Sequence, residues 1–154
     1  MTLATHRIKL LSMPDEDGTE IRNYPSSSAV SAIAGKAVQL NSDGEVLLGT
    51  DITTHIGVAL NTPTATGDMV SVLVRGKIEL NDLSHFLFVT GHEIVNEGYV
   101  VYIDPDGKWS NIATSNLLVG YCTLVKSTTA GASQIEVEFN MNSAAAQPTA
   151  PTSV

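Results

Sequence analysis

A chain of 154 residues, 43% of them hydrophobic, has apolar material for one core and too little for two, so a single domain with tails is expected. Sixteen acidic against eight basic residues leave a net charge of −8, a field that repels nucleic acid and favours solubility. No stretch approaches the roughly 20 apolar residues of a membrane span, and the opening Met1-Thr-Leu-Ala-Thr-His-Arg7 lacks the apolar core of a secretory signal, so neither a membrane nor a nucleic-acid partner is expected and synthesis in the cytoplasm is.

Residues 1–33 read as an extended N-terminal arm. Ile8 to Leu11 has the composition of a short strand, the acidic run Asp15-Glu-Asp-Gly18 interrupts it, and Pro14 and Pro25 forbid longer elements. Ala29 to Ala34 has room for one helical turn. A β-domain then runs over residues 34–141, and a charge-free, proline-containing tail over 142–154 has almost nothing to bury and is expected to be flexible.

Within the domain one pattern is written twice, over about 35–76 and 98–139. Gly35 and Gly98 are 63 positions apart (98 − 35 = 63), as are Gly44 and Gly107, Gly57 and Gly120, and Val72 and Ile135. Each copy opens on a hairpin: apolar residues flank Asn41-Ser-Asp43-Gly44 in the first and Asp104-Pro-Asp106-Gly107 in the second, where glycine supplies a positive φ and Asp or Asn bonds its own backbone. An apolar strand carrying a glycine follows (Ile56-Gly57-Val58-Ala59; Val119-Gly120-Tyr121-Cys122), a sign of a bulge or a close backbone approach. Each copy ends on a period-two strand, Val70 to Val74 and Ile135 to Phe139, expected to be half buried and half wet. The first of these continues through Arg75-Gly76-Lys77-Ile78, with Gly76 as a bend or bulge. Between the copies, Asn81 is placed to cap a short helix holding Leu83, Phe86 and Leu87, and Phe86 and Phe88 are expected to plug or cover the barrel.

Nothing in this pattern carries chemistry, and no catalytic residue, cofactor or metal is expected. His6, His55, His85 and His92 lack metal-ligand spacing, and the one cysteine, Cys122, stands where the first copy has Ala59, so it reads as a small buried hydrophobe. Asp104 to Gly107 has the outline of a calcium loop, but its glycine comes too early and Ser115 stands where a bidentate Glu is required. The acids Asp43, Glu45, Asp104, Asp106, Glu136 and Glu138 fall in turns or on alternating strand faces and read as solvated surface. Trp109 could be core or an interface anchor.

The run Gly35 to Gly76, with its Asn-Ser-Asp-Gly hairpin, Ile56-Gly57-Val58-Ala59, Gly67-Asp68 and valine-rich strand, resembles the capsid decoration (cement, head-stabilising) proteins of tailed bacteriophages, a group that includes the phage lambda decoration protein. The second copy, with Gly98, Asp106-Gly107 and Gly120, is similar to the second half of larger members. The resemblance implies a small antiparallel β-barrel or β-tulip that sits as a homotrimer on the outer surface of an expanded head, clamping neighbouring subunits of the major capsid protein and resisting the pressure of packaged DNA. It further implies an arm that becomes ordered on the shell, often by adding a strand. No motif assigns its contacts, and the arm's own composition offers Ile8, Leu10, Leu11 and Tyr24 as candidates to fill pockets along an added strand, while Asp43, Gly44, Gly57, Gly76, Asp106, Gly107 and Gly120 are read from their residue types as shaping turns and strands. Two other readings stay open: a β-module of the phage tail or baseplate, and a carbohydrate-binding β-domain built on Tyr99, Tyr102, Trp109 and Tyr121.

Overall fold

The computed structural model describes residues 8–10, 18–27, 33–80, 97–127 and 134–141, and every helix or strand among them is a strand. Ten of these follow in order: β1 (Ile8–Leu10), β2 (Glu20–Pro25), β3 (Ala37–Leu40), β4 (Val46–Leu48), β5 (Gly57–Ala59), β6 (Met69–Leu80), β7 (Val100–Ile103), β8 (Trp109–Ser110), β9 (Leu117–Ser127) and β10 (Gln134–Asn140). All pair antiparallel in one sheet of order β4-β3-β5-β6-β10-β9-β7-β8, with β1 and β2 also on β6, and the sheet curls into a half-barrel. The Asn81 helix, Phe86, Phe88, His85, His92 and the tail lie outside the described residues, as do His6 and Leu11.

The 12-residue β6 is the axis. Its valines and leucines favour an extended backbone, and its length lets several partners share each edge. Leu73 lies between Ile21 and Val58, Val72 between Arg22 and Ala59, Ile78 between Leu10 and Val137, and Leu80 between Ile8 and Ile135. A strand has two edges. The arm strands β1 and β2 therefore share one edge of β6, and the two repeat copies divide the other, β5 at its start and β10 at its end. Gly76, at φ +148°, pairs with Phe139 of β10 and lies between the stretches of β6 that β2 and β1 cover on the other edge.

Two cores lie on opposite faces of the central strands. Ala37, Val58, Leu73 and Val74 join Val101, Ile103, Trp109, Val119, Cys122 and Val137 in the larger, whereas Val38, Ala59, Val70 and Val72 join Ile33 and Val46 in the smaller. β5 is buried along its whole length and Leu73 is buried beside Val72, so the first copy's last strand is not half wet as its alternation predicts. The second copy covers the face that period two leaves outside. At Gly57 β5 lies close against β6: a Cβ there would come within 2.5 Å of the Leu73 carbonyl oxygen and 2.6 Å of a Val72 methyl.

The copies repeat in register as well as in letters. Ala37–Val58 and Val38–Gly57 recur as Val100–Tyr121 and Val101–Gly120, and Gln39–Leu47 and Leu40–Val46 recur as Tyr102–Ser110 and Ile103–Trp109. Gly44 N–H donates to the Asn41 carbonyl at 3.1 Å, and Gly107 N–H to that of Asp104 at 3.0 Å. The last strand departs from the 63-residue offset. Ala59 pairs with Val72, but Cys122 pairs with Val137, so Val137 and not Ile135 is the counterpart of Val72. An even slip of two residues keeps every side chain on its face, which is why the fold tolerates it.

The half-barrel closes through contacts that only the second copy makes. Ala37 N–H donates to the Gly107 carbonyl at 2.9 Å, and the buried Trp109 indole Nε1–H donates to the Gly35 carbonyl at 2.6 Å. His55, also buried, has Nε2 2.9 Å from the Asp104 carbonyl. A carbonyl only accepts, so Nε2 is the donor in this contact, and Nδ1 is buried with no hydrogen-bond partner among the described residues. Asp104 is itself only 4% exposed, which corrects its reading as solvated surface; its side chain accepts the Lys108 N–H at 2.8 Å.

Two predictions follow the asymmetry between the turns. A Cβ on Gly107 would meet the Ala37 carbonyl oxygen at 2.5 Å, whereas one on Gly44 meets nothing within 4 Å, and both residues have φ near +80°. Gly44→Ala is expected to cost about 1 kcal/mol from the left-handed backbone alone, and Gly107→Ala about 2–4 kcal/mol, read from denaturant unfolding; equal losses would show that the closure is not tight. Burial, first, and then Asp106 raise the Asp104 carboxyl above the ordinary range, so its charge destabilises the fold once pH exceeds the unfolded-state value and the cost is relieved on acidification. Asn41, its counterpart, accepts the Glu45 N–H without a charge. Asp104→Asn should thus melt at least as high as the parent at pH 7, with its advantage vanishing towards pH 3; a lower melting point at pH 7 contradicts this.

Candidate functional site

The arm is the part of the sheet held with the least burial. β2 pairs six residues with β6, yet none of its side chains is fully buried: Arg22 and Asn23 are exposed, Ile21 rests half-buried on the larger core and Tyr24 on the smaller. Leu10 likewise leans on the larger core, and Ile8 faces Leu80 across the ladder. Backbone bonds and surface polar contacts do most of the holding. The Glu20 carboxylate accepts from Arg22 Nε at 2.8 Å and sits 3.8 Å from Arg75 Nε, while the Ser71 hydroxyl donates to Asn23 Oδ1 at 2.8 Å. Exposed ion pairs of this kind contribute about 0–1 kcal/mol each. Among the described residues no strand pairs with β1 or β2 on the edge turned away from β6.

The attachment changes character at Ser26. This residue is fully buried, its N–H donates to the Asp68 carbonyl at 2.9 Å, its hydroxyl to the Ala65 carbonyl at 3.0 Å, and its own carbonyl accepts from Gly67 N–H at 2.9 Å. Ser27 N–H then donates to Val46 on β4. The arm is thus riveted at Ser26 and lies on the surface beyond it. Nothing in Ser26-Ser27-Ser28 distinguishes the first serine, because its partners are more than 35 residues away.

The other singled-out residues are architectural in their placement. Asp43 and Asp106 are exposed turn residues, Gly44 and Gly107 hold positive φ, and Gly57, Gly76 and Gly120 lie buried in β5, β6 and β9. Asp51 and Asp68 act as turn caps; hydrogen bonds from Thr53 to the first and from Thr64 and Ala65 to the second lower both carboxyls. Cys122 is buried and its thiol is pushed up to about 11, chiefly by desolvation, which suits packing and not nucleophilic attack. Among the described residues no three of His, Cys, Asp and Glu gather as metal ligands. Trp109 and Tyr102 are buried and Tyr99 packs against the core, leaving only Tyr121 exposed, so the four aromatics form no concave cluster.

What remains is a small, rigid β-body with an extended strap laid along its central strand. A search of curated proteins finds no match to the chain. A family model described as phage cement protein matches residues 17–139, from just ahead of β2 through nearly all of β10 and so across both repeat copies and the strap's second strand. On that match, the chain belongs to the phage cement protein family.

Proposed function

We propose that this protein decorates the outer surface of the expanded phage head as a homotrimer and clamps neighbouring subunits of the major capsid protein. The cement family to which it belongs carries the capsid-stabilising, virion-associated role itself, and the match across residues 17–139 is the observation on which the reading stands. A structural family of this kind also favours a role without catalysis. The carbohydrate-binding alternative loses its main support with Trp109 and Tyr102 buried.

The geometry supports a division of labour. The body, with two cores and a closed β7–β8 turn, is built to resist deformation. The arm N-terminal to Ser26 is held by a backbone ladder and thin burial, so lifting it off β6 costs less than disturbing any strand beneath. We take the transferable element to be β1 and β2, which would leave β6 and add to a strand of the shell, exchanging one backbone ladder for another. Each single docking is weakened by the β6 ladder that must be given up for it, and many copies on one lattice compensate by avidity.

Heads stripped of the protein should lose resistance to heat or chelator and recover it on re-addition, with three copies at each local three-fold in a cryo-electron map. Unchanged resistance would end the stabilising role, and label confined to the tail would favour a tail or baseplate module. The transfer step has its own test. Asn23 and Ser71 face each other across β2 and β6, so a double variant, Asn23→Cys with Ser71→Cys, can lock the arm by oxidation. The oxidised form is expected to bind heads at least tenfold more weakly than the reduced form; equal binding would show that the arm stays on β6.

A further inference from the structure

The same face of the repeat meets different surroundings in its two copies. In the first, Ala37, Val58 and Leu73 are wholly covered because the second copy packs over them as part of the larger core. Their register counterparts in the second copy are Val100, Tyr121 and Glu138. There Val100 is still buried, but Tyr121 is 43% exposed and Glu138 is exposed, so the part of this face around Tyr121 and Glu138 is open to solvent.

A β-bulge adds to it. Between Glu136 and Val137 the register with β9 slips, so that Thr123 is the extra residue and Leu124 stands opposite Glu136. Glu136 and Glu138 point to the same side of β10, and cross-strand neighbours share a side. Leu124, 37% exposed, therefore lies on the same face as Tyr121. Of the large apolar residues that the described structure exposes, Met69, Tyr121 and Leu124, two sit together here, each opposite a carboxylate. Lys77, opposite Glu138 on β6, shares this face and has its Nζ 3.9 Å from Glu136, while the Tyr121 hydroxyl lies 3.5 Å from Glu138 Oε2, a long contact that leaves this carboxylate room for a stronger partner.

We infer that this outer face of β9 and β10 is a second docking surface, one that takes a segment of the capsid shell protein carrying apolar side chains beside a Lys or Arg. The inference rests on the proposed function and assigns it a contact apart from the arm. Tyr121, on a rigid strand with two rotatable bonds, is a low-entropy anchor, Leu124 extends the apolar footprint, and Glu138 selects the cation. Charge argues for a basic occupant and against a second copy of this chain: in a molecule of net charge −8, a two-fold contact through this face would set Glu136 and Glu138 against their own kind.

The test uses the full chain and purified heads stripped of it. Two variants are compared with the parent, Tyr121→Ser with Leu124→Ser, and Glu138→Lys. Both change exposed side chains, and thermal melts check that the fold is kept. Each is expected to bind heads at least tenfold more weakly, and Glu138→Lys to flatten the dependence of binding on salt. If the parent binds and both variants bind as well as it does, this inference fails while the proposed function stands; if the parent itself does not bind heads, the proposed function fails and takes the inference with it. Variants that bind heads normally but change the oligomeric state would identify the face as a contact between copies and overturn the inference.

Discussion

Everything in this fold hangs on β6, which is buried over most of its length, at Val70, Val72 to Val74, Gly76 and Ile78 to Leu80, and takes backbone partners on both edges. Where such a strand is buried it has no water to fall back on, so each N–H and C=O there needs a protein partner or costs on the order of 1–3 kcal/mol. One edge is met by the arm and the other is shared between β5 and β10. The two repeat copies are thereby held end to end along one strand, and the two cores are built outward from it. Gly57 belongs to the same constraint, since β5 approaches β6 more closely than any side chain would allow.

The copies show how one backbone pattern is turned to different uses by a few side chains. Registers and turn bonds recur, but the second copy has Trp109 where the first has Val46, and only an indole offers an N–H to the Gly35 carbonyl. Asp104 stands for Asn41 and is buried under the closure, whereas the Asn41 turn borders solvent. Tyr121 stands for Val58 and is exposed, whereas Val58 is covered by the larger core. The duplication thus closes on itself once, in one direction, and ends in a distinct outer face.

This arrangement suits a protein whose family role is mechanical. Stability is concentrated in the body, where apolar burial is dense, and is thin along the strap, where the attachment is a ladder of backbone bonds beyond the rivet at Ser26. A ladder of that kind is not sequence-specific, because its bonds run between backbone groups. Ile21 and Tyr24, half-buried against the two cores, add the apolar part of the attachment.

Local physics was legible in the chain alone. The two Asp/Asn-Gly turns, the glycines needing positive φ, the burial of Cys122, the all-β character and the family likeness follow from residues whose conformational limits act within a few positions, and the 63-residue spacing exposed the duplication. Contacts over longer distances were decided only on folding. That Leu73 is buried, that Asp104 lies under His55, that Ser26 is the rivet, and that Val137 and not Ile135 answers to Val72 all depend on which edge meets which. Alternation along one strand says which side chains share a face; it carries no information on whether a second layer will come to cover the other.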